Sequence, residues 1–259
     1  MNESTSLFIF AHQDDESGVF WELHRLVSRG ENVIVVYLTS GDVSGGPSSI
    51  RDCESISVLK KLGVLKKNIH FLGTELGIPD GSLSKHMTVA IQALMTLLKK
   101  TTCPMSLYFL AWEGGHQDHD AVHIIGIAIG RQLDILEQCF QFTLYTGYRL
   151  TSILFRLFSP IPENGKVQLS YIPWNFRFKF IRHCLSYPSQ KKTWLGLFPF
   201  FIIHYIFNGT QIFQPVSLMR ITQKPHPGRL LYERRGFYTY RNFSEDSSVI
   251  LNKFILNKF

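Results

Sequence analysis

Apolar residues in this chain fall into two alternating patterns, short unbroken runs and helical stripes. Leu7-Phe-Ile-Phe-Ala11, Val33-Ile-Val-Val-Tyr-Leu38 and Met105-Ser-Leu-Tyr-Phe-Leu-Ala111 have the length and continuity of strands buried on both faces. Between the first two, Val19, Leu23, Leu26 and Val27 share one helical face, and Gly30 stands where a helix would close. Ser48 or Ser49 is placed to cap a second helix carrying Ile50, Cys53, Leu59 and Leu62 and ending at Gly63. Ile69-His-Phe-Leu72 reads as a short strand, and Pro79-Asp80-Gly81 gives the following loop its turn chemistry. Ser84 caps a helix through Leu98, His119 to Leu133 is another helix, and Phe140 to Tyr145 one more strand. Strands separated by helices of this length predict an α/β fold with a mostly parallel sheet and right-handed crossovers.

Beyond about residue 147 the pattern loosens. Trp194-Leu-Gly-Leu-Phe-Pro-Phe-Phe-Ile-Ile-His-Tyr-Ile-Phe207 is strongly apolar, but it is interrupted by Pro199 and His204 and is too short for a membrane span. It reads as a buried helix or the wall of a ligand cleft; the competing reading is a membrane-surface contact or an oligomer interface. Arg229-Leu-Leu-Tyr-Glu-Arg-Arg-Gly236 reads as a hairpin or strand region. No repeat, low-complexity tract or linker divides the chain. Residues 1–259 are therefore expected to form a single domain, with an α/β core over about 1–147 and a less regular C-terminal portion, about 148–259, shaping the substrate cleft.

Composition narrows the function more than the fold. At 259 residues the chain is long enough to bury a sizeable core, since chains of this size bury roughly 70–75% of their unfolded surface. The net charge of +7 favours anionic partners. The basic residues are nevertheless scattered, and no nucleic-acid-binding module is present, so nucleic acid is not an expected partner. Cys53, Cys103, Cys139 and Cys184 are far apart with no CxxC pair, which suits a reducing compartment better than a disulfide framework. The first residues carry no basic cluster and the apolar run behind them is short, so no signal peptide is expected. Cytoplasmic residence follows, peripheral to the inner face of the membrane if the 194–207 stretch touches lipid.

The chemistry sits where the strands end. The first run passes directly into His12-Gln-Asp-Asp-Glu16, and the Met105 run is followed by Gly115-His-Gln-Asp-His119. In open parallel sheets, the carboxyl edge is where sites are built. Zinc at catalytic sites commonly takes three nitrogen or oxygen ligands and a water. His12 and Asp15, three residues apart at a strand exit, can be aimed at one ion, with His119 as the third ligand. Asp14 is then beside the ion and able to take a proton from its water, whose pKa zinc lowers to about 7. His116 is placed to stabilise the oxyanion or protonate the leaving amine, and Asp118 to orient His116 and keep it protonated.

These residues resemble a known family. Ala11-His-Gln-Asp-Asp-Glu16 matches the AHxDDE signature of the PIG-L/LmbE family of zinc-dependent N-deacetylases, and His116-Gln-Asp-His119 its HxDH signature. The resemblance implies a Rossmann-like three-layer sandwich and hydrolysis of the acetyl group from N-acetylglucosamine-type sugars. It also implies zinc at His12, Asp15 and His119, with Fe2+ able to occupy the same set, Asp14 as general base and His116 as oxyanion or acid group. It extends to Thr39-Ser-Gly-Asp42, Arg51 with Glu54, and Pro79-Asp80-Gly81, and makes Arg51 and Asp80 substrate contacts. Tyr187-Pro-Ser-Gln190 resembles a Tyr-x-Ser-Gln segment of some relatives. Gln13 and Gln117 stand where relatives usually carry proline, and Gly114 stands where some sugar-thiol deacetylases carry a tyrosine.

Bland readings compete at several positions. Glu16 is either a first-turn acid or a support for the ligands, and Trp112 and Glu113 either shape the pocket or pack the loop. His123, four residues after His119, is a satisfied helix histidine in preference to a ligand. Arg51 and Asp80 have ordinary readings as a solvated helix charge and a turn residue. The expected substrate is a small-molecule, lipid-linked or polysaccharide-linked N-acetyl sugar. The alternatives are hydrolysis of another N-acyl or non-sugar amide, and a non-catalytic sugar-binding or membrane-surface protein. A nucleotide-binding domain is disfavoured, because no GxGxxG follows the first strand.

Overall fold

The computed structural model describes residues 4–42 and 49–256. Its first half winds as β1 (Thr5–Phe10), α1 (Phe20–Ser28), β2 (Asn32–Tyr37), α2 (Ser49–Lys61), β3 (Ile69–Phe71), α3 (Leu72–Leu76), α4 (Leu83–Leu98), β4 (Ser106–Leu110), α5 (Gln117–Gln132) and β5 (Cys139–Phe142). The second half adds β6 (Tyr145–Thr146), β7 (Arg156–Leu157), β8 (Gln168–Tyr171), α6 (Trp174–Cys184), α7 (Lys191–Ile203), β9 (Thr210–Pro215), α8 (Leu231–Arg234) and α9 (Tyr240–Ile250).

The main sheet has the order β3-β2-β1-β4-β5-β9-β8. β1 to β5 pair in parallel, and β9 and β8 close one side antiparallel. Helices cover both faces, giving the α/β sandwich the alternation predicts. β1 is buried at every position, as a parallel strand covered on both faces must be. α5 is buried almost throughout, between the sheet and the packed pair α4 and α9, so its sequence is apolar or small around most of its circumference. Residues 148–256 share this sheet and core: the apolar cluster that begins at Leu7 continues through Phe213 and Phe243 to Ile255.

What positions the site is the winding. From β1 the sheet grows outward through β2 and β3, then returns to the other side of β1 for β4. The reversal therefore lies between β1 and β4, which pair in register from Ser6 with Ser106 to Ile9 with Phe109. Loops leaving the carboxyl ends of these neighbours diverge to opposite sides and leave a crevice between them. His12 follows one strand and His119 the other.

Four local expectations are corrected. Leu59 and Leu62 are buried as expected, but Ile50 and Cys53 face solvent and α2 buries Arg51, Glu54, Ser55 and Val58 as well, because its first turns face the crevice, where Arg51 and Glu54 have hydrogen-bond partners. Ser48 lies outside the described residues. Ser82 occupies the N-cap position of α4, while Ser84 sits inside the helix and donates to Asp246 at 2.6 Å. The strand expected from Phe140 to Tyr145 breaks after Phe142, because the amides of Leu144 and Tyr145 donate to the Glu113 carboxylate instead of to a neighbouring strand. The 229–236 segment contains a helix, α8, whose Glu233 carboxylate accepts from the Leu230 amide at its N-terminus.

Candidate metal and active site

The β1 exit is a tight 3-10 turn around an acid. Asp15 Oδ2 accepts the amides of Ala11 (3.0 Å) and His12 (2.7 Å), which leaves Oδ1 free to face His119 Nε2 at 3.3 Å. Asp14, between them, has φ +130°, a conformation non-glycine residues rarely adopt. Its amide is held by Glu16 Oε2 at 2.9 Å, and Glu16 Oε1 accepts the Tyr187 hydroxyl at 2.8 Å. Glu16 is thus a buried support that keeps Asp14 in its strained backbone.

The β4 exit supplies the opposite wall. Gly115 is required there: a Cβ would fall 2.0 Å from the Tyr145 carbonyl oxygen. His116 occupies the N-cap of α5, and its Nδ1 accepts the Asp118 amide at 3.2 Å. His119, one turn in, points Nδ1 at Glu113 Oε1 (3.3 Å) and Nε2 into the crevice. The imidazoles of His12, His116 and His119 offer nitrogens that all lie within 4.8 Å of one another. Asp80 joins them from the 79–81 turn, 3.1 Å from His12 Nε2 and 3.8 Å from His116 Nε2. These groups line a cavity of about 520 Å³, within the size range of small-molecule sites.

Electrostatics follow from the crowding. Burial alone would lower the pKa of His12, but Asp80 and Asp15 outweigh it and hold it well above the usual value. For His119, burial is again overcome, mainly by Asp15, and the pKa is raised to about 9. Burial favours the protonated acid at Asp15 and Asp80, but the facing imidazoles hold both carboxyls well below the usual range. Asp14 is different: burial pushes it up to about 7 against the pull of Arg51, whose Nη2 lies 3.7 Å away. The field that raises the proton affinity of His12 and His119 is the field a divalent cation would meet. Mixed imidazole and carboxylate donors of this kind fit zinc or iron.

Two expected roles change in detail. Asp118 is fully buried, but its carboxylate lies 4.0 Å from His116 Nδ1, and its short contacts go to His12 Nε2 (3.1 Å) and to the amides of Gly81 (2.6 Å) and Leu83 (3.0 Å). It therefore ties His12 to the 79–83 loop. His116 is not held as an imidazolium: burial first, then the charge on His12, lower its pKa to about 4. With Nδ1 accepting an amide, the neutral ring carries its proton on Nε2, facing the cavity. Arg51 borders the cavity, but its guanidinium donates to the carbonyls of Gln13 (2.9 Å) and Gly41, pinning the loops beside Asp14.

Several supports were not assigned from sequence. Gln13 replaces a turn-fixing proline with a buried side-chain clamp, donating to Asp52 Oδ1 (2.6 Å) and the Ser40 carbonyl (3.3 Å). Gln117 likewise reaches the Gly81 carbonyl at 3.3 Å. Ser189 donates to Glu54, so the Tyr187–Gln190 segment brackets the crevice through both Glu16 and Glu54. Glu113 shapes the site directly. Its buried carboxylate faces His119 Nδ1 and would fix the tautomer that turns an unprotonated Nε2 toward a metal, the usual task of an acid behind a ligating histidine. Gln at 113 would present an NH2 either to Nδ1 or to the backbone amides. Glu113→Gln is therefore expected to weaken zinc affinity by about 10–100-fold, measured by competition with a chromogenic chelator; unchanged affinity would remove Glu113 from this role.

His123 lies outside the metal cluster. Its Nδ1 donates to the Leu110 carbonyl at 3.0 Å, and burial lowers its pKa to about 3 from 6.5. The unfolded chain takes this proton near pH 6.5 and the folded chain only near pH 3. The contribution to stability is thus complete above pH 6.5 and falls as pH drops between those values, by at most about 1.4 kcal/mol per pH unit. Denaturant unfolding between pH 7 and pH 4.5 should show a shallower pH slope for His123→Asn, which keeps an N–H donor, than for the parent; equal slopes would contradict this assignment.

With the geometry established, comparison with known proteins is informative. Residues 7–129 match the PIG-L family model, described as GlcNAc-PI de-N-acetylase. Among solved structures, a triple mutant of a deacetylase of the teicoplanin biosynthetic pathway superposes with a TM-score of 0.62 at 18% identity, covering 83% of this chain and 98% of that one. An antimicrobial pseudoaglycone deacetylase gives 0.60 at 16% identity, with the same 83% and 98% coverage. The N,N'-diacetylchitobiose deacetylase from Pyrococcus horikoshii gives 0.53 at 20% identity, covering 82% of this chain and 84% of that one. No curated protein matches in sequence. At these identities the structural likeness establishes a shared fold.

Proposed function

Because residues 7–129 form a PIG-L family domain, we propose that this protein is a metal-dependent N-deacetylase that removes the acetyl group from an N-acetylglucosamine-type sugar conjugate. The observation that carries the reading is the convergence of His12, His116 and His119 with Asp14, Asp15 and Asp80 on one cavity at the switch point of the sheet. His12, Asp15 and His119 would hold the metal. When bound, zinc would supply Lewis acidity and a water acidified to a pKa of about 7.

The chain's own groups account for the remainder. Asp14, with a pKa raised to about 7 by burial, takes the proton of the attacking water near neutral pH. His116 offers its Nε2–H to the oxygen that gains charge as the amide carbon becomes tetrahedral. Asp118 and Glu113 position His12 and His119 and touch no substrate. Asp80 borders the cavity beside His12 and His116, within reach of a sugar hydroxyl, and Arg51 holds the Asp14 loop. Products are acetate and the free amine.

The described residues after 147 shape the cleft in this reading. Leu157, Trp194, Leu197 and Phe201 give the cavity an apolar wall beside its polar groups. That wall supports a sugar carrying an apolar aglycone, and it favours one second reading, an N-acyl group longer than acetyl. No helix among the described residues is long and apolar enough to cross a membrane. The free cysteines fit work in a reducing cytoplasm. Zinc-loaded protein should be assayed for free amine against a matched panel: N-acetyl and N-octanoyl glucosaminides, and an N-acetyl amino acid. Turnover confined to acetyl sugars supports the proposal; preference for octanoyl supports the second reading; turnover of only the amino acid would refute both.

A further inference from the structure

The outside of the cleft wall is a surface without a partner among the described residues. On α7 the inner positions Trp194, Leu197 and Phe201 line the cavity, and the outer positions Leu195, Pro199 and Ile203 recur at helical spacing. The outer row continues into Ile206 and Phe207 of the following π turn. Leu195 is 82% exposed, Ile203 53% and Phe207 76%. α6, which packs on α7, presents Trp174 (55%) and Phe178 (59%) with Arg182 on one face, and Lys179 beside them. The patch is continuous with the cleft rim: the tilted rings of Phe200 and Phe155 have centroids 5.2 Å apart, and Phe155 sits against Tyr145 and Arg235 at the cavity. Ile153 and Leu154, which immediately precede Phe155 in the chain, are exposed as well.

Charge selects the partner. From residue 164 to residue 232 there is no Asp or Glu, while Lys166, Arg177, Lys179, Arg182, Lys191, Lys192, Arg220, Lys224 and Arg229 all fall in that stretch. The rest of the chain carries 18 basic and 20 acidic residues, so this segment holds the whole positive excess. An apolar helix face bordered by Lys and Arg, with Trp and Phe among its exposed side chains, suits the boundary between headgroups and acyl chains. A second protein would leave the acid-free surroundings unmatched unless it were itself strongly acidic.

We infer that the outer face of α6 and α7 docks the protein on an anionic lipid bilayer, lying in the interface without spanning it and setting the cleft rim against the headgroups. The inference goes beyond hydrolysis and is read without substrate, so its failure would leave the deacetylase proposal standing. Co-sedimentation of the full chain with vesicles of phosphatidylglycerol and phosphatidylcholine (1:1), against phosphatidylcholine alone, tests it. Binding is expected only with the anionic vesicles and should weaken in high salt. Leu195→Ser with Phe207→Ser should lower partitioning by about tenfold or more. Lys179→Glu with Arg182→Glu should lower it by at least about 25-fold, given about fivefold for each cation near such a surface. All four positions are exposed, and circular dichroism checks that the variants fold. Absence of binding, equal binding to neutral vesicles, or unchanged binding by the variants would each overturn the inference. So would a dimer that the apolar pair converts to monomer while lipid is ignored.

Discussion

Asp14→Asn is expected to keep the bound metal and to lower kcat by about 10²–10⁴-fold, the usual contribution of a general base. Asn is nearly isosteric and is among the residues that best tolerate positive φ, so the turn at φ +130° should survive. Its amide N–H still reaches Glu16, and Arg51 still anchors the loop through Gln13 and Gly41. What disappears is the carboxylate able to accept a proton near pH 7. The checks are metal content by plasma emission spectrometry and kcat on the same preparation. Loss of metal together with rate would place Asp14 among the ligands and undo the division of labour between Asp14 and Asp15.

His119→Ala should do the reverse and remove the metal itself. His119 Nε2 stands 3.3 Å from Asp15 Oδ1, and its other nitrogen is held by Glu113. The substitution deletes a donor and leaves a buried carboxylate without its imidazole. Zinc affinity should therefore fall further than the roughly 10–100-fold expected for altering the supporting Glu113 alone. The predicted order of metal loss is His119→Ala, then Glu113→Gln, with Asp14→Asn unaffected. Since His119→Ala also disturbs packing, its circular dichroism must match the parent before its metal content is read. A folded His119→Ala protein that retains full zinc affinity would exclude His119 as a ligand.

The fold was legible in the chain because buried parallel strands write themselves as unbroken apolar runs, and β1, β2 and β4 each do so. The convergence of His12 with His119 followed from placing both motifs at carboxyl ends of strands. Its completion depends on β1 and β4 being neighbours, a property of the winding that no local pattern contains. Long-range side-chain partners were the least legible. Asp118 sits two residues from His116 and donates its amide to that ring, yet its carboxylate's hydrogen bonds go to His12 and to the 81–83 loop. For Glu113 the sequence leaves pocket shaping and loop packing equally open, and the choice is made only when the chain after β5 returns to place Leu144 and Tyr145 on its carboxylate. Gln13 and Gln117 showed a departure from proline without showing what replaced it, since their acceptors, in α2 and in other loops, are distant in sequence. The C-terminal helices were blurred for a related reason. α7 is apolar on both its cavity side and its outer side, so its pattern lacks the one-sided stripe that locates an ordinary surface helix.

The most direct test of the account is the stoichiometry of acetate and free amine released from an N-acetylglucosaminyl conjugate as zinc is titrated into metal-free protein. The account predicts equal amounts of both products, appearing as the first equivalent of zinc binds, abolished by chelation and nearly absent in the metal-loaded Asp14→Asn protein. A folded protein that binds zinc at His12, Asp15 and His119 yet releases no acid from any N-acyl sugar would contradict it.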